Sequence, residues 1–204
     1  MKNLANSGKN FDSGYWQNKY IDKKTGWDIG YVATPIKEYV DQLQDKSIKI
    51  LVPGAGNAYE VEYLYKKGFK KTWLLDFAPQ SINNFKQRVK IFPKEQIINE
   101  DFFNHTQKYD LIIELTFFSS LNPNSRENYV SKMSDLLNPG GKLIGLLFNH
   151  GFGNNFPPFG GTDKEYQKLF KNKFIIKKME IAYNSIKPRA NRELFIILEK
   201  LNKV

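Results

Sequence analysis

The chain contains no cysteine, and that single absence removes disulfides, thiolate metal sites and cysteine nucleophiles together. Histidine is almost missing as well: His105 and His150 are the only two, too few for a histidine-built metal centre. No apolar run approaches the roughly 20 residues that cross a bilayer. The start, Met1-Lys2-Asn3-Leu4-Ala5-Asn6, lacks the apolar stretch of a secretion signal, so a cytoplasmic protein without membrane contact is expected. Acidic residues are in deficit, 21 against 31 basic ones, for a formal charge of +10. The excess lies in dispersed pairs, Lys66-Lys67, Lys70-Lys71 and Lys177-Lys178, each beside apolar positions. That reads as a solvated surface rather than a nucleic-acid footprint, so a monomer with no nucleic-acid partner is expected.

With repeats and low-complexity linkers also missing, 204 residues at 41% hydrophobic content imply one domain, 1–204. Residues 1–33 are polar, aromatic and interrupted by Gly8, Gly14, Gly26 and Gly30, which suggests a flap over a core of 34–204. Thr34-Pro35 reads as a helix N-cap with proline at the first helical position, and the helix runs through Leu43. Strands are predicted at 48–53, 72–76, 96–99, 109–115 and 142–148, with helices near 57–67, 79–91 and 125–137 between them. That alternation is the pattern of an α/β fold with a mostly parallel sheet. Asn138-Pro139-Gly140-Gly141 is predicted as a turn, Thr162-Asp163-Lys164-Glu165 as a capping box, and the runs 174–183 and 193–198 as an antiparallel pair that ends the sheet.

In such a sheet, ligands bind beyond the carboxyl ends of the strands where the strand order reverses. The first strand breaks into Pro53-Gly54-Ala55-Gly56 and re-enters a helix, which turns backbone N–H groups and a helix N-terminus toward a ligand. Asp76 follows one βα unit later, at the spacing from which a carboxylate accepts the hydroxyls of an adenosyl ribose. Asp101 and Phe102 stand past the third strand, where a carboxylate and an aromatic face suit a purine. Each has a plainer reading: a glycine turn also serves close packing, and Asp101 also serves a turn. Trp16, Tyr20 and Trp27 are large rings in a polar, glycine-broken segment, the composition of a lid over something apolar or cationic, and cation–π attraction suits a sulfonium.

These stretches carry a resemblance. Tyr15-Trp16-Gln17-Asn18-Lys19-Tyr20, Gly26-Trp27-Asp28-Ile29-Gly30, Leu51 to Asn57, Leu75-Asp76-Phe77, Glu100 to Phe103, Tyr109 to Glu114 and Pro157-Pro158-Phe159 resemble the thiopurine S-methyltransferase family, including its halide and thiol methyltransferase branch. The resemblance implies a Rossmann-like class I methyltransferase fold: seven mostly parallel strands, the last antiparallel, with helices on both faces and an N-terminal aromatic flap. It implies S-adenosyl-L-methionine as cofactor, S-adenosyl-L-homocysteine as product and a small-molecule methyl acceptor that is a soft nucleophile. By the same resemblance Trp16, Tyr20 and Trp27 roof the site, and Gly54, Ala55 and Gly56 approach the methionine part. Asp76 is assigned to the ribose, Asp101 and Phe102 to the adenine and Leu115 to the cofactor past the fourth strand, with Phe77 and Glu114 also expected among the cofactor-binding residues. Phe117, Phe118, Phe159 and Arg189 are expected to line the acceptor pocket, with positive field from Arg189 and Arg192, and His150 is the only histidine placed to act as a base. Rival readings are a nucleic-acid methyltransferase, a cofactor-binding domain without catalysis, and a nicotinamide-dependent oxidoreductase, for which the third glycine of the turn is missing.

Overall fold

The computed structural model describes residues 11–202, so Gly8 and the segment 1–6 lie outside the described residues. In chain order the elements are α1 (Ser13–Ile21), α2 (Thr34–Asp41), β1 (Ile50–Pro53), α3 (Tyr59–Lys66), β2 (Thr72–Asp76), α4 (Pro79–Arg88) and β3 (Ile97–Asn99). They continue as β4 (Tyr109–Leu115), α5 (Phe117–Ser120), α6 (Arg126–Leu136), β5 (Leu137–Phe148), α7 (Asp163–Phe170), β6 (Phe174–Ile181) and β7 (Glu193–Lys200). The sheet has seven strands in the order β3-β2-β1-β4-β5-β7-β6. β1 to β5 pair in parallel, while β7 runs antiparallel to both β5 and β6. The order reverses between β1 and β4, which places a crevice at their carboxyl ends.

The two-residue period of a strand sends alternate side chains to opposite faces, and both faces are apolar here because both are covered. Ile50 and Val52 pack with Val61, Leu64, Ile82 and Phe85 of α3 and α4. Leu51 faces the other way, into the layer of Tyr129, Met133 and Phe170 from α6 and α7. Fully burying a side chain of this size contributes about 1.5–3 kcal/mol, so these two layers are the main source of the sheet's stability.

Three local expectations differ. The segment 1–33 contains a helix, α1, started by Asp12, whose side chain accepts from Tyr15 N–H; it buries none of its residues and lies against α4. The helix after Thr34 is capped by Ala33 rather than Thr34, because Pro35 needs only a pre-set φ at the first turn. Asn138–Gly141 does not separate helix from strand but bulges within β5: Tyr109 pairs with Leu137, and the register resumes at Leu111 with Lys142. Asn138 Nδ2 closes that bulge on Asp110 Oδ1 at 2.7 Å. The capping box forms as expected, with the Thr162 and Glu165 side chains each bonded to the other's backbone N–H.

Candidate active site

A cavity of about 1150 Å³ opens at the carboxyl ends of β1, β2 and β4 and beneath α1. Its floor is the turn after β1. Gly54 and Gly56 have φ of +57° and +56°, the left-handed region in which side chains are strained. A Cβ on Gly54 meets the Phe117 ring at 2.4 Å, and one on Gly56 meets the Tyr20 hydroxyl at 2.6 Å. The turn therefore needs bare backbone here so that Phe117 and Tyr20 can pack against it.

Asp76 ends β2 and is buried. Its Oδ2 accepts from Gly56 N–H at 2.7 Å and its Oδ1 from Ala78 N–H at 2.8 Å. Burial raises its pKa, and the backbone donors at Ala78 and Gly56 pull it back. Each carboxylate oxygen has two lone pairs, so these two backbone bonds alone do not exhaust its acceptor capacity. Asp101 caps a short 3-10 turn, accepting from Phe103 N–H at 2.9 Å, and it also stands on the cavity wall with Phe102.

The lid is built from rings meeting edge to face. Trp16 and Trp27 are 5.3 Å apart at 81°, and Tyr20 and Trp27 are 5.8 Å apart at 85°. Burial, then Asp76, raises the Tyr20 pKa far above that of a free phenol, so its hydroxyl stays neutral. A polar thread ties the lid to the floor. Asp28 accepts from Asn57 Nδ2, and Asn57 Oδ1 accepts from Asn84 Nδ2 at 2.9 Å. Asn84 in turn accepts from Gln80, whose backbone N–H reaches Gln17 Oε1 in α1 at 2.7 Å.

The expected residues divide by position. Trp16, Tyr20, Trp27, Gly54, Asp76, Phe77, Asp101, Phe102, Phe117, His150 and Arg189 stand on the wall of the large cavity. Ala55, Gly56 and Leu115 face a smaller adjoining pocket of about 50 Å³. Glu114, Phe118 and Phe159 stand on neither wall, apart from the other expected residues. Strand alternation turns Glu114 away from Leu115 and into the core, where it accepts from the Tyr129 hydroxyl at 2.5 Å and Phe118 N–H at 2.8 Å. Burial pushes its pKa up to about 7. Phe118 follows Phe117 by one helical step and so points inward, while Phe159 packs on Phe11 at 5.9 Å.

Arg189 does not present a free cation. Its Nη2 donates to the Trp27 carbonyl at 2.5 Å and its Nη1 to Glu193 Oε1 at 3.3 Å, so it clamps the lid to the start of β7. His150 Nε2 accepts from Arg192 Nη2 at 2.5 Å, since a guanidinium only donates. Burial and then Arg192 lower the His150 pKa, which keeps the ring neutral with that lone pair already engaged. Sequence reasoning missed the supports Gln17, Asn57, Asn84 and Glu60, the last of which accepts from Ala33 N–H at 3.0 Å behind the lid. The four-residue spacing of Trp16 and Tyr20 after Asp12 was the one available signal, for α1.

No helix among the described residues is long and apolar enough to cross a membrane. Residues 11–203 match the family described as thiopurine S-methyltransferase (TPMT). The chain is 29% identical over 162 residues to a probable thiol methyltransferase 2 of Arabidopsis thaliana, covering 77% of this chain and 71% of the relative. It is 23% identical over 180 residues to the thiopurine S-methyltransferase of Bos taurus, covering 76% and 74%. Among solved structures, a 1,6-didemethyltoxoflavin N1-methyltransferase of Burkholderia thailandensis, with its substrate and S-adenosylhomocysteine bound, superposes with a TM-score of 0.74 at 14% identity, covering 93% of this chain and 87% of that one. That likeness shows the class I methyltransferase fold. The glycine turn, the buried carboxylate and the aromatic lid thus stand in a chain that belongs to the thiopurine S-methyltransferase family, whose enzymes depend on S-adenosylmethionine.

Proposed function

We propose that the acceptor is a small soft nucleophile, a thiolate, sulfide or halide, and that the site works by orientation and exclusion of water rather than by proton transfer. The carrying observation is that the one histidine on the cavity wall has its Nε2 lone pair bound to Arg192 beneath an aromatic lid. That the chain's relatives include a probable thiol methyltransferase and a thiopurine S-methyltransferase supports a sulfur acceptor. When bound, S-adenosylmethionine would supply a methyl carbon made electrophilic by its cationic sulfur, with the neutral thioether as the leaving group for an incoming electron pair. Asp76 holds the ribose hydroxyls, Asp101 and Phe102 the adenine, and the Gly54–Gly56 turn the methionine backbone. Trp16, Tyr20 and Trp27 would offer the sulfonium their ring electrons and keep water off it, and Phe117 would border the acceptor. Near-attack placement of this kind lowers a barrier by several kcal/mol, roughly 7–11 at the limit. A soft anion needs no base, which suits the engaged His150.

The same reading takes 1–204 as one methyltransferase domain with 1–33 as its lid, acting as a cytoplasmic monomer without nucleic acid; the dispersal of the lysines supports the last point. The experiment is incubation with methyl-labelled S-adenosylmethionine and a panel of hydrosulfide, thiocyanate, iodide and small aliphatic and aromatic thiols, with collection of volatile and soluble methylated products. Methylation of at least one sulfur or halide acceptor is expected. Tight binding of the donor with no product from any of them leaves a binding domain and sinks the reading.

A further inference from the structure

His105 is absent from the cavity wall, and its imidazole is buried. Nδ1 lies 2.6 Å from Glu100 Oε1, and Nε2 lies 2.7 Å from the Tyr109 hydroxyl. An ionised carboxylate only accepts, so Nδ1 donates to Glu100, while Nε2 and the Tyr109 hydroxyl share the second bond. Tyr109 is itself fully buried, stacks on the imidazole with centroids 5.7 Å apart and meets Trp73 edge-on at 5.6 Å. The His105 carbonyl accepts from Lys132 Nζ of α6 at 2.9 Å. A carboxylate–imidazole–phenol chain thus runs from the rim of the cavity into the core.

The segment closed by that chain, 100–105, carries Asp101 and Phe102. Its internal bonds, Phe103 N–H to Asp101 Oδ1 at 2.9 Å and Asn104 N–H to the Asp101 carbonyl at 2.9 Å, set the shape of the turn but not its height above the sheet. On one side it hangs from β3, three residues long and at the sheet edge, which is a weak anchor. Phe102 packs into the core against Phe117 and Tyr129, and the polar attachment is on the other side, at His105. We infer that His105 is a positioning residue for the methyl donor: through Glu100 and Tyr109 it fixes the 100–105 turn where Asp101 and Phe102 receive the adenine. This rests on reading the cavity as the donor site.

Three variants test it: Tyr109→Phe, which deletes one hydroxyl and keeps the ring; His105→Asn, which keeps a donor for Glu100; and His105→Ala, which keeps neither bond. Calorimetric Kd for S-adenosylhomocysteine is expected to rise about threefold to fivefold in the first two and about tenfold in the third. The acceptor KM at saturating donor stays at its wild-type value. In the ligand-free protein the amides of Phe103 and Asn104 exchange faster, while those of Leu51 and Ile112 keep their protection. Wild-type affinity in all three variants, or a loss shared by Leu51, Ile112 and the acceptor KM, overturns the inference. If the wild-type chain itself binds no S-adenosylhomocysteine, the donor-site reading falls and this inference with it; if wild type binds and the variants match it, only this inference falls.

Discussion

Gly54 and Glu114 occupy opposite ends of what one residue can be asked to do: the first supplies no side chain, and the second buries a carboxyl. Gly54→Ala combines a left-handed backbone, worth about 1–2 kcal/mol for an ordinary residue, with a 2.4 Å overlap on Phe117. Gly30→Ala has the same kind of backbone, φ +80°, and open space around it. Thermal unfolding of the two variants separates the effects: a modest loss for Gly30→Ala, and a larger one for Gly54→Ala accompanied by lost donor binding. Equal losses with donor binding retained in both remove the close-packing argument. Glu114 and Glu60 both have pKa values raised by burial to about 7, from 4.5. Between those values the folded state binds more protons than the unfolded one, so stability is full below about pH 4.5 and declines as pH rises through about 7. Denaturant unfolding followed from pH 4.5 to 8 is expected to show that decline, and Glu114→Gln to make it shallower while the shares of Glu60, Asp76 and Glu193 remain. At this scale Asp76 and Asp101 were legible because they follow strands. Glu114 was not, since sequence alone does not say to which face a strand's last residues turn when an unpredicted helix, α5, begins two residues later.

At the scale of elements, periodicity located every strand of the sheet, and the glycine and proline signals found most helix ends. α1 escaped because it is short and buries none of its residues, so no apolar stripe marks it. The bulge in β5 escaped because Pro and two glycines ordinarily end a strand, while here Asp110 and Asn138 hold the chain in the ladder. Least legible was the clamp joining Trp27 to Arg189, 162 residues apart. It leads to a prediction about the lid as a unit. Arg189→Ala removes a charged hydrogen bond worth about 1.5–3 kcal/mol and leaves the buried Glu193 carboxyl, whose pKa is raised, without its cation and with Ser185 as a remaining donor. Turnover is expected to fall about tenfold or more, with Trp fluorescence shifted toward that of solvated indole, and the melting temperature to drop. Glu193→Gln added to Arg189→Ala relieves that uncompensated charge, so stability recovers while turnover does not. Recovery of both in the double variant means the arginine serves only the fold.

For the whole molecule, the cavity proposed for the donor is walled by parts otherwise joined mainly through the sheet: the turns after β1, β2 and β3, and the lid from α1. The sequence carried this arrangement in outline, since the strand rule points to the reversal of order without any side chain being placed. A ligand that bridges so many elements binds the folded chain and has no site in the unfolded one. Its stabilisation then follows mass action, about 2.7 kcal/mol at a hundredfold excess over Kd. For a chain of this length about 1 kcal/mol moves the melting temperature by about 2–4 °C. S-adenosylhomocysteine at that excess is therefore expected to raise the melting temperature by about 5–11 °C in differential scanning calorimetry. At the same concentration adenosine reaches Asp76 and Asp101 but not the glycine turn or the lid, so its shift is smaller. Trp27→Ala keeps the adenosine shift and loses much of the larger one, because that ring stands over the part adenosine lacks. Equal shifts from the two ligands, or none from S-adenosylhomocysteine as its concentration is raised, mean that the lid and the turn do not meet on a common ligand.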